Sequence, residues 1–420
     1  MNILWFTNSP CGSIRRFSGS VKAGGWMISL EDEIKKCLNI NLSVAFISKT
    51  KEKPFKYDGV TYYPIWKNIP RSKIKRVLYR FTSYEKQDSI ILPKLLKVVD
   101  VVKPDLIHIH GTEECFGLIQ DSVKNIPIVF SIQGLIAPYK EKYFSGMSFH
   151  DVKKYEKIME KLRLVSIKND YKSFCYRAIR EKHYLANSKY ILGRTFWDRN
   201  CTLALNSKRK YFVVNEILRD CFYHKRWNKS SFNDTIKLVS TISGGVYKGF
   251  ETVLKTADLL SKYSNLKFEW HIAGYTEQTK WVKIAEKSTD LKSSCYPIKF
   301  HGRIDAEELS NLLISSDIYI HVSHIENSPN SVCEAMLLGM PIIASFAGGT
   351  ASLLENGKEG LLYQDGDPYV LAGSVLKFAG NFEYAKQMGL YAFNHATERH
   401  DKLKILKELL FAYKEIISYK

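Results

Sequence analysis

The stretch HIENSPNSVCEAMLLGMP, residues 324–341, sets two glutamates eight positions apart, Glu326 and Glu334, on either side of a Ser-Pro-Asn. Ser328 followed by Pro329 reads as a helix start and Gly339 before Pro341 as a helix end, so the pattern predicts a helix over about 329–338 with Ser328 as its N-cap. Glu326 then sits in the loop beyond the strand IYIHVS, and Glu334 lies a turn and a half into the helix. Backbone N–H groups near Asn330 and Ser331, together with the helix dipole, form a site for an anion. A loop carboxylate beside such a site can hold sugar hydroxyls, and a helix carboxylate deeper in can hold a ribose. A helix-surface charge and a loop charge with no shared role would show the same spacing, so the surrounding elements must decide.

Those elements alternate. Apolar strand-like segments and helix-period segments succeed one another along most of the chain, the pattern of parallel α/β folding. In the first half NILWF leads through a loop ending at Gly24 and Gly25 into a helical period carried by Trp26, Met27, Leu30, Ile34, Cys37 and Leu38. Strands are expected at LSVAFIS, DLIHIHG, IPIVFSI and HYLANS. The second half repeats the plan with IKLVSTI, a helix carrying Val253, Leu254, Ala257 and Leu260, and then LKFEWHIAG, IKFHG, DIYIHVS and PIIAS. YFVVNE reads as the strand that crosses into the second unit. The expected domains are therefore 1–207 and 208–395, with a C-terminal helix in 396–420 packing back on the first. The architecture this suggests is two Rossmann-like domains facing each other across a cleft, with ligands at the carboxyl ends of the strands.

Composition agrees with a two-domain globular protein. The chain has 420 residues, above the roughly 250–300 at which single cores stop growing. Apolar residues make up 45% of it and aromatics 13%, which is core material and not the composition of a disordered chain. The N-terminus lacks a basic segment followed by a long apolar one, and no window approaches about 18 uninterrupted apolar residues, so a cytoplasmic location is expected. The eight cysteines are scattered without CxxC pairs, against a zinc site or disulfide framework. The net charge of +19 calls for an anionic partner: nucleic acid, an acidic membrane surface or a phosphorylated substrate. No nucleic-acid-binding module is visible, so nucleic acid is not expected as a partner.

The segment from IKFHGRIDAEEL to YQDGDP, with EAMLLGMPIIAS, the Gly348-Gly349 pair and NGKEGLLY, closely resembles the family 4 glycosyltransferases of the GT-B fold. The resemblance extends to GGW, PDLIHIHG and YKGFETVLKTADLL. It implies a retaining glycosyltransferase that uses a nucleotide-sugar donor, UDP- or GDP-linked, without a cofactor. It implies that Glu326 contacts the donor sugar hydroxyls, Glu334 the nucleotide ribose and Lys248 the diphosphate. Pro329 and Asn330 match the family pattern, whereas Asn327 and Ser328 replace its usual Gly-Phe. Ser243 stands where the family often has an arginine, and the backbone of Gly244 and Gly245 offers N–H groups to the phosphates in its place. Gly24 and Gly25 match the N-terminal glycine loop, and His110 matches a histidine that contacts the transferred sugar, with His108 on the same strand face but deeper.

Asp365-Gly366-Asp367 before Pro368 is similar to a metal-binding DxD but reads as a solvated turn, so no metal is expected. The segment RSKIKRVLYRF, residues 71–81, places Ile74, Val77, Leu78 and Phe81 on one helical face with Lys73, Lys75, Arg76 and Arg80 around it. A solvated face is one reading. The other is contact with anionic lipid that brings the enzyme to a lipid-linked saccharide acceptor, as in capsule or lipopolysaccharide assembly. Two competing functions have the same fold: a catalytically impaired scaffold, which the altered phosphate site suggests, and a non-hydrolysing nucleotide-sugar epimerase.

Overall fold

The computed structural model describes all residues but 17–24, 69, 71, 73–75, 78, 81, 155, 157 and 420. The chain divides into two compact units, one of Met1–Lys140, Lys157–Ile217 and Asp401–Lys420, the other of Glu141–Glu156 and Leu218–His400.

The first unit is built on eight strands: β1 (Asn2–Thr7), β2 (Asn41–Ser48), β3 (Phe55–Tyr57), β4 (Val60–Trp66), β5 (Leu106–His110), β6 (Ile128–Ser131), β7 (Tyr190–Gly193) and β8 (Lys210–Val213). Their order is β3-β4-β2-β1-β5-β6-β7-β8, parallel throughout except for β3 against β4. Both faces of β1 are buried, as a central parallel strand requires. Ile3 and Trp5 enter one core with Leu30 and Ile34 of the helix Gly25–Ile34 and Leu409 and Tyr413 of the C-terminal helix. Leu4 and Phe6 enter the other with Leu95 and Phe116. That alternation is the period of two of a pleated strand.

The second unit carries six strands: β9 (Ile236–Thr241), β10 (Phe268–Ala273), β11 (Ile298–Gly302), β12 (Ile318–His321), β13 (Ile342–Phe346) and β14 (Leu361–Gln364). They run in the order β11-β10-β9-β12-β13-β14, all parallel. The helix Asn330–Leu338 is buried along most of its length, with Val332, Ala335, Met336 and Leu338 in the core.

Local expectations differ from the structure in four places. HYLANS is not a strand: its first four residues are the last turn of the helix Ile167–Ala186, capped at Ser166, which buries Phe174, Ala178, Glu181, Tyr184 and Leu185 at helical spacing. YFVVNE does not cross into the second unit. Its residues pair in parallel with β7 as the outermost strand of the first sheet, and the first unit runs on to Ile217. The first helix stops at Ile34, short of Cys37 and Leu38, and Leu38 is fully exposed. Finally, the N-cap of the helix after β12 is Pro329, with Asn330 its first residue. Ser328 is buried, and its hydroxyl lies 3.8 Å from Cys333 Sγ.

Candidate functional site

The strand order of the second sheet reverses between β9 and β12, which are hydrogen-bonded neighbours. In open parallel sheets the loops beyond the carboxyl ends of such a strand pair diverge and leave room for a ligand. Here those loops carry Gly244, Gly245 and Lys248 after β9, and Glu326 after β12, ahead of the helix that starts at Asn330.

Two glycines let the loops approach closely. Gly249 has φ of +76°, and a Cβ there would lie 1.9 Å from the carbonyl oxygen of Val322, so only glycine brings the end of the Lys248 turn against the exit of β12. Gly348 has φ of +55°, and its Cβ would meet the carbonyl oxygen of Glu326 at 2.2 Å. The next amide, Gly349 N–H, donates to that same oxygen at 2.8 Å. His324 N–H donates to Tyr247 O at 2.8 Å, and the Tyr275 hydroxyl donates to Gly244 O at 2.9 Å. The loops are thereby tied to each other and to the sheet.

Within this frame the Lys248 ammonium and the Glu326 carboxylate form an ion pair. Their side chains are 19% and 15% exposed, open enough for a ligand to reach. Burial disfavours the charged lysine, and Glu326 beside it outweighs that, so the Lys248 pKa lies above its ordinary value. The residues that the sequence reading gave to phosphate and to sugar thus neutralise each other.

The helix Asn330–Leu338 begins without any side-chain cap and with no acidic residue in its first turn. Asn330 and Ser331 are half-buried at that end, where the helix dipole favours an anion. Glu334 is only 2% exposed and accepts two hydrogen bonds from Arg219, from Nε and Nη2, each at 2.7 Å. Burial raises the Glu334 pKa, and Arg219 opposes the rise. Arg219 was not legible as a site residue, because it lies 115 positions away in the chain and only the fold brings it to Glu334.

Asp365 is not the solvated residue of a free turn. Its carboxylate lies 3.3 Å from His324 Nδ1 and 3.4 Å from Lys142 Nζ, while His324 Nε2 meets Glu251. Burial pushes the His324 pKa down, but the two carboxylates prevail and bring it up to about 9. Asp367 accepts from the N–H groups of Tyr369 and Val370 as the N-cap of the helix Pro368–Ala379. The turn therefore caps a helix and partners a buried histidine.

In the first unit His110 ends β5, beside the β1–β5 reversal of that sheet. It is fully buried, stacked on His108 with ring centroids 3.7 Å apart, and neither of its ring nitrogens has a hydrogen-bond partner among the described residues. Burial holds its pKa well below the ordinary histidine value. His108 is held by a chain of bonds. Trp5 Nε1–H donates to the Tyr413 hydroxyl at 2.9 Å, that hydroxyl lies 2.6 Å from His108 Nδ1, and His108 Nε2 meets the Ser131 hydroxyl. If Tyr413 donates onward, the proton of His108 resides on Nε2 and points at Ser131. Gly25 opens the first helix with φ of +38°; Gly24 lies outside the described residues.

Residues 225–395 match the family described as Glycosyl transferases group 1. That region is a group 1 glycosyltransferase domain. The chain is similar to an uncharacterised glycosyltransferase of Methanocaldococcus jannaschii, 27% identical over 191 residues, covering 45% of this chain and 48% of that protein. It is also similar to the amylovoran biosynthesis glycosyltransferase AmsK of Erwinia amylovora, 25% identical over 157 residues, 36% of this chain and 38% of that one. The chain thus spans less than half the length of these two relatives. Among solved structures, sucrose-phosphate synthase from Thermosynechococcus elongatus aligns over 100% of both chains with a TM-score of 0.70 at 14% identity. Anabaena HepE in complex with UDP-glucose aligns over 100% of both with a TM-score of 0.63 at 17% identity. At these identities the likeness establishes the fold alone, and the chain has the α/β, two-sheet GT-B fold.

Proposed function

We propose that the chain is a retaining glycosyltransferase that moves a sugar from a UDP- or GDP-sugar to a saccharide or lipid-linked saccharide acceptor. The observation that carries this reading is the Lys248–Glu326 ion pair beyond the carboxyl ends of β9 and β12, with Glu326 in the loop that leads into the uncapped helix start at Asn330. Breaking a sugar–phosphate bond develops positive charge on the sugar ring and negative charge on the departing diphosphate. Preorganised donors aimed at the second charge carry much of such catalysis. Lys248, the amides of Gly244 and Gly245 and the N–H groups of Asn330 and Ser331 suit that charge. Glu326 suits sugar hydroxyls, and Glu334 the ribose.

The ion pair gives this site an exchange of partners. A bound diphosphate takes Lys248, and Glu326 is released to the sugar. The leaving phosphate accepts the acceptor's proton on the face it departs from, which retains the anomeric configuration and needs no separate base. His110 and Gly25, in the first unit, are proposed sugar and acceptor contacts.

Support for the donor class comes from the neighbour solved with UDP-glucose, and a biosynthetic role is in keeping with the relative named for amylovoran biosynthesis; surface polysaccharide assembly is part of the proposal. No described helix is long and apolar enough to cross a membrane. The net charge of +19 is consistent with docking on an anionic membrane surface, and a cytoplasmic location is part of the proposal.

The test is a screen of UDP- and GDP-sugars for release of nucleoside diphosphate, with and without lipid-linked saccharide. Acceptor-dependent release that persists in EDTA, with retained configuration in the product by NMR, is the expected result. Epimerised donor without acceptor identifies the epimerase, and no turnover of any donor identifies the scaffold.

A further inference from the structure

Arg219 forms a planar fork onto Glu334, the carboxylate that the proposed function gives to the ribose. An ionised carboxylate offers about four lone-pair positions. The fork occupies one on each oxygen, which leaves one on each oxygen for the two hydroxyls of a ribose cis-diol. The arginine is itself fixed. It precedes the turn Asp220–Tyr223, its guanidinium lies 4.9 Å from the ring centroid of Phe222, and Phe222 is fully buried. The Tyr223 hydroxyl accepts from Leu218 N–H at 3.1 Å and donates to His400 O at 2.8 Å. Without a cation beside it, a carboxyl group as buried as Glu334 takes up a proton. It then presents one donor and one fewer acceptor to the diol.

We propose that Arg219 is a positioning residue that keeps Glu334 charged and fixes its plane, so that the protein distinguishes ribonucleotides from 2′-deoxyribonucleotides. The inference rests on the reading that Glu334 meets the donor ribose.

Calorimetric titration with UDP and with 2′-deoxy-UDP from pH 7 to 9 tests it, GDP and its deoxy form being used if the uridine nucleotides do not bind. The readout is the ratio of the two affinities, from which the titration of the nucleotide's own phosphate cancels. Wild type is expected to prefer the ribonucleotide by about tenfold or more, as one lost charge-assisted hydrogen bond implies, at every pH. Arg219→Met is expected to bring that ratio near one at pH 7 and to regain it as pH rises and Glu334 ionises. Arg219→Lys, which restores a charge without the fork, is expected to fall between them, and it decides the matter in the same way if Arg219→Met does not fold. A wild-type ratio in the arginine variants with no pH dependence overturns the inference and leaves the ribose site standing, provided Glu334→Gln loses the ratio. If Glu334→Gln keeps it, the ribose assignment itself falls. A wild-type protein that binds neither UDP nor GDP refutes the proposed function and this inference with it.

Discussion

Lys248 and Glu326 stand 78 positions apart in the chain and form an ion pair beyond adjacent strand ends of the second sheet. The cation that we propose for phosphate and the carboxylate that we propose for sugar are thereby held together while neither carries an unbalanced charge. In the proposed function donor binding breaks this pair, so the two residues are expected to act as one unit.

That unity is measurable. Lys248→Ala and Glu326→Ala are each expected to lower kcat/KM for donor about 100-fold, equivalent to about 2.7 kcal/mol. The double variant should lose clearly less than the product of the two, because either single change already leaves its former partner unbalanced. Strictly multiplicative losses in a double-mutant cycle would show that the pair is uncoupled.

His324 makes stability depend on alkaline pH. Its folded pKa of about 9 exceeds its ordinary value of 6.5, so its contribution is complete below about 6.5 and disappears as pH rises through about 9. The groups that face it are Glu251 and Asp365, with Lys142 on the far side of Asp365. A shift of this size corresponds to roughly 3 kcal/mol. Thermal denaturation from pH 6 to 10 should show Tm of wild type falling across that window. His324→Gln combined with Glu251→Gln, which avoids a stranded carboxylate, should remove most of the slope, and an unchanged slope would assign it to other groups.

Gly249→Ala separates close approach from backbone conformation. Gly357 also has a left-handed φ, +80°, but a Cβ there meets nothing within 4 Å. Gly357→Ala should cost only the conformational term, about 1–2 kcal/mol. Gly249→Ala must in addition push the Lys248 turn away from Val322, so a larger loss of Tm and a fall in transferase activity are expected. Equal Tm losses in the two variants, with activity intact, would show that the two loops need not touch.

Membrane docking is tested by sedimentation with vesicles. Lys73, Lys75, Ile74, Leu78 and Phe81 of the basic segment lie outside the described residues. Arg76 Nε donates to Pro70 O at 3.3 Å and Arg80 to Arg163 O at 2.8 Å. Each basic side chain near an anionic surface contributes about 1 kcal/mol within a Debye length of about 8–10 Å. The protein is expected to sediment with anionic vesicles at low salt, to be released at high salt and to ignore neutral vesicles. Replacing Lys73, Lys75, Arg76 and Arg80 by glutamine should abolish sedimentation without changing donor affinity. Equal sedimentation of that variant would send the charge elsewhere.

Much of the fold was legible because its signals are local. Continuous apolar runs between helical periods announce buried parallel strands, and Gly339 before Pro341 announces the end of a helix whatever surrounds it. The placement of Glu326 and Glu334 on a strand–loop–helix unit followed from those signals alone. Where local signals mislead, the tertiary structure overrode them. HYLANS has a strand-like composition but finishes a helix, because Tyr184 and Leu185 reach the core from one side of a helix capped at Ser166. YFVVNE has the composition of a strand and forms one, but its sheet is the first and not the second, since a strand's sequence does not name its neighbour. The partners of the charged residues were out of reach for the same reason. Arg219 on Glu334, Glu326 on Lys248, and Glu251 and Asp365 on His324 are each pairs of side chains separated by between 41 and 115 positions. Residue type and spacing determined which groups this protein has for chemistry. Only the chain's return through adjacent parallel strands decided which charge each group would face.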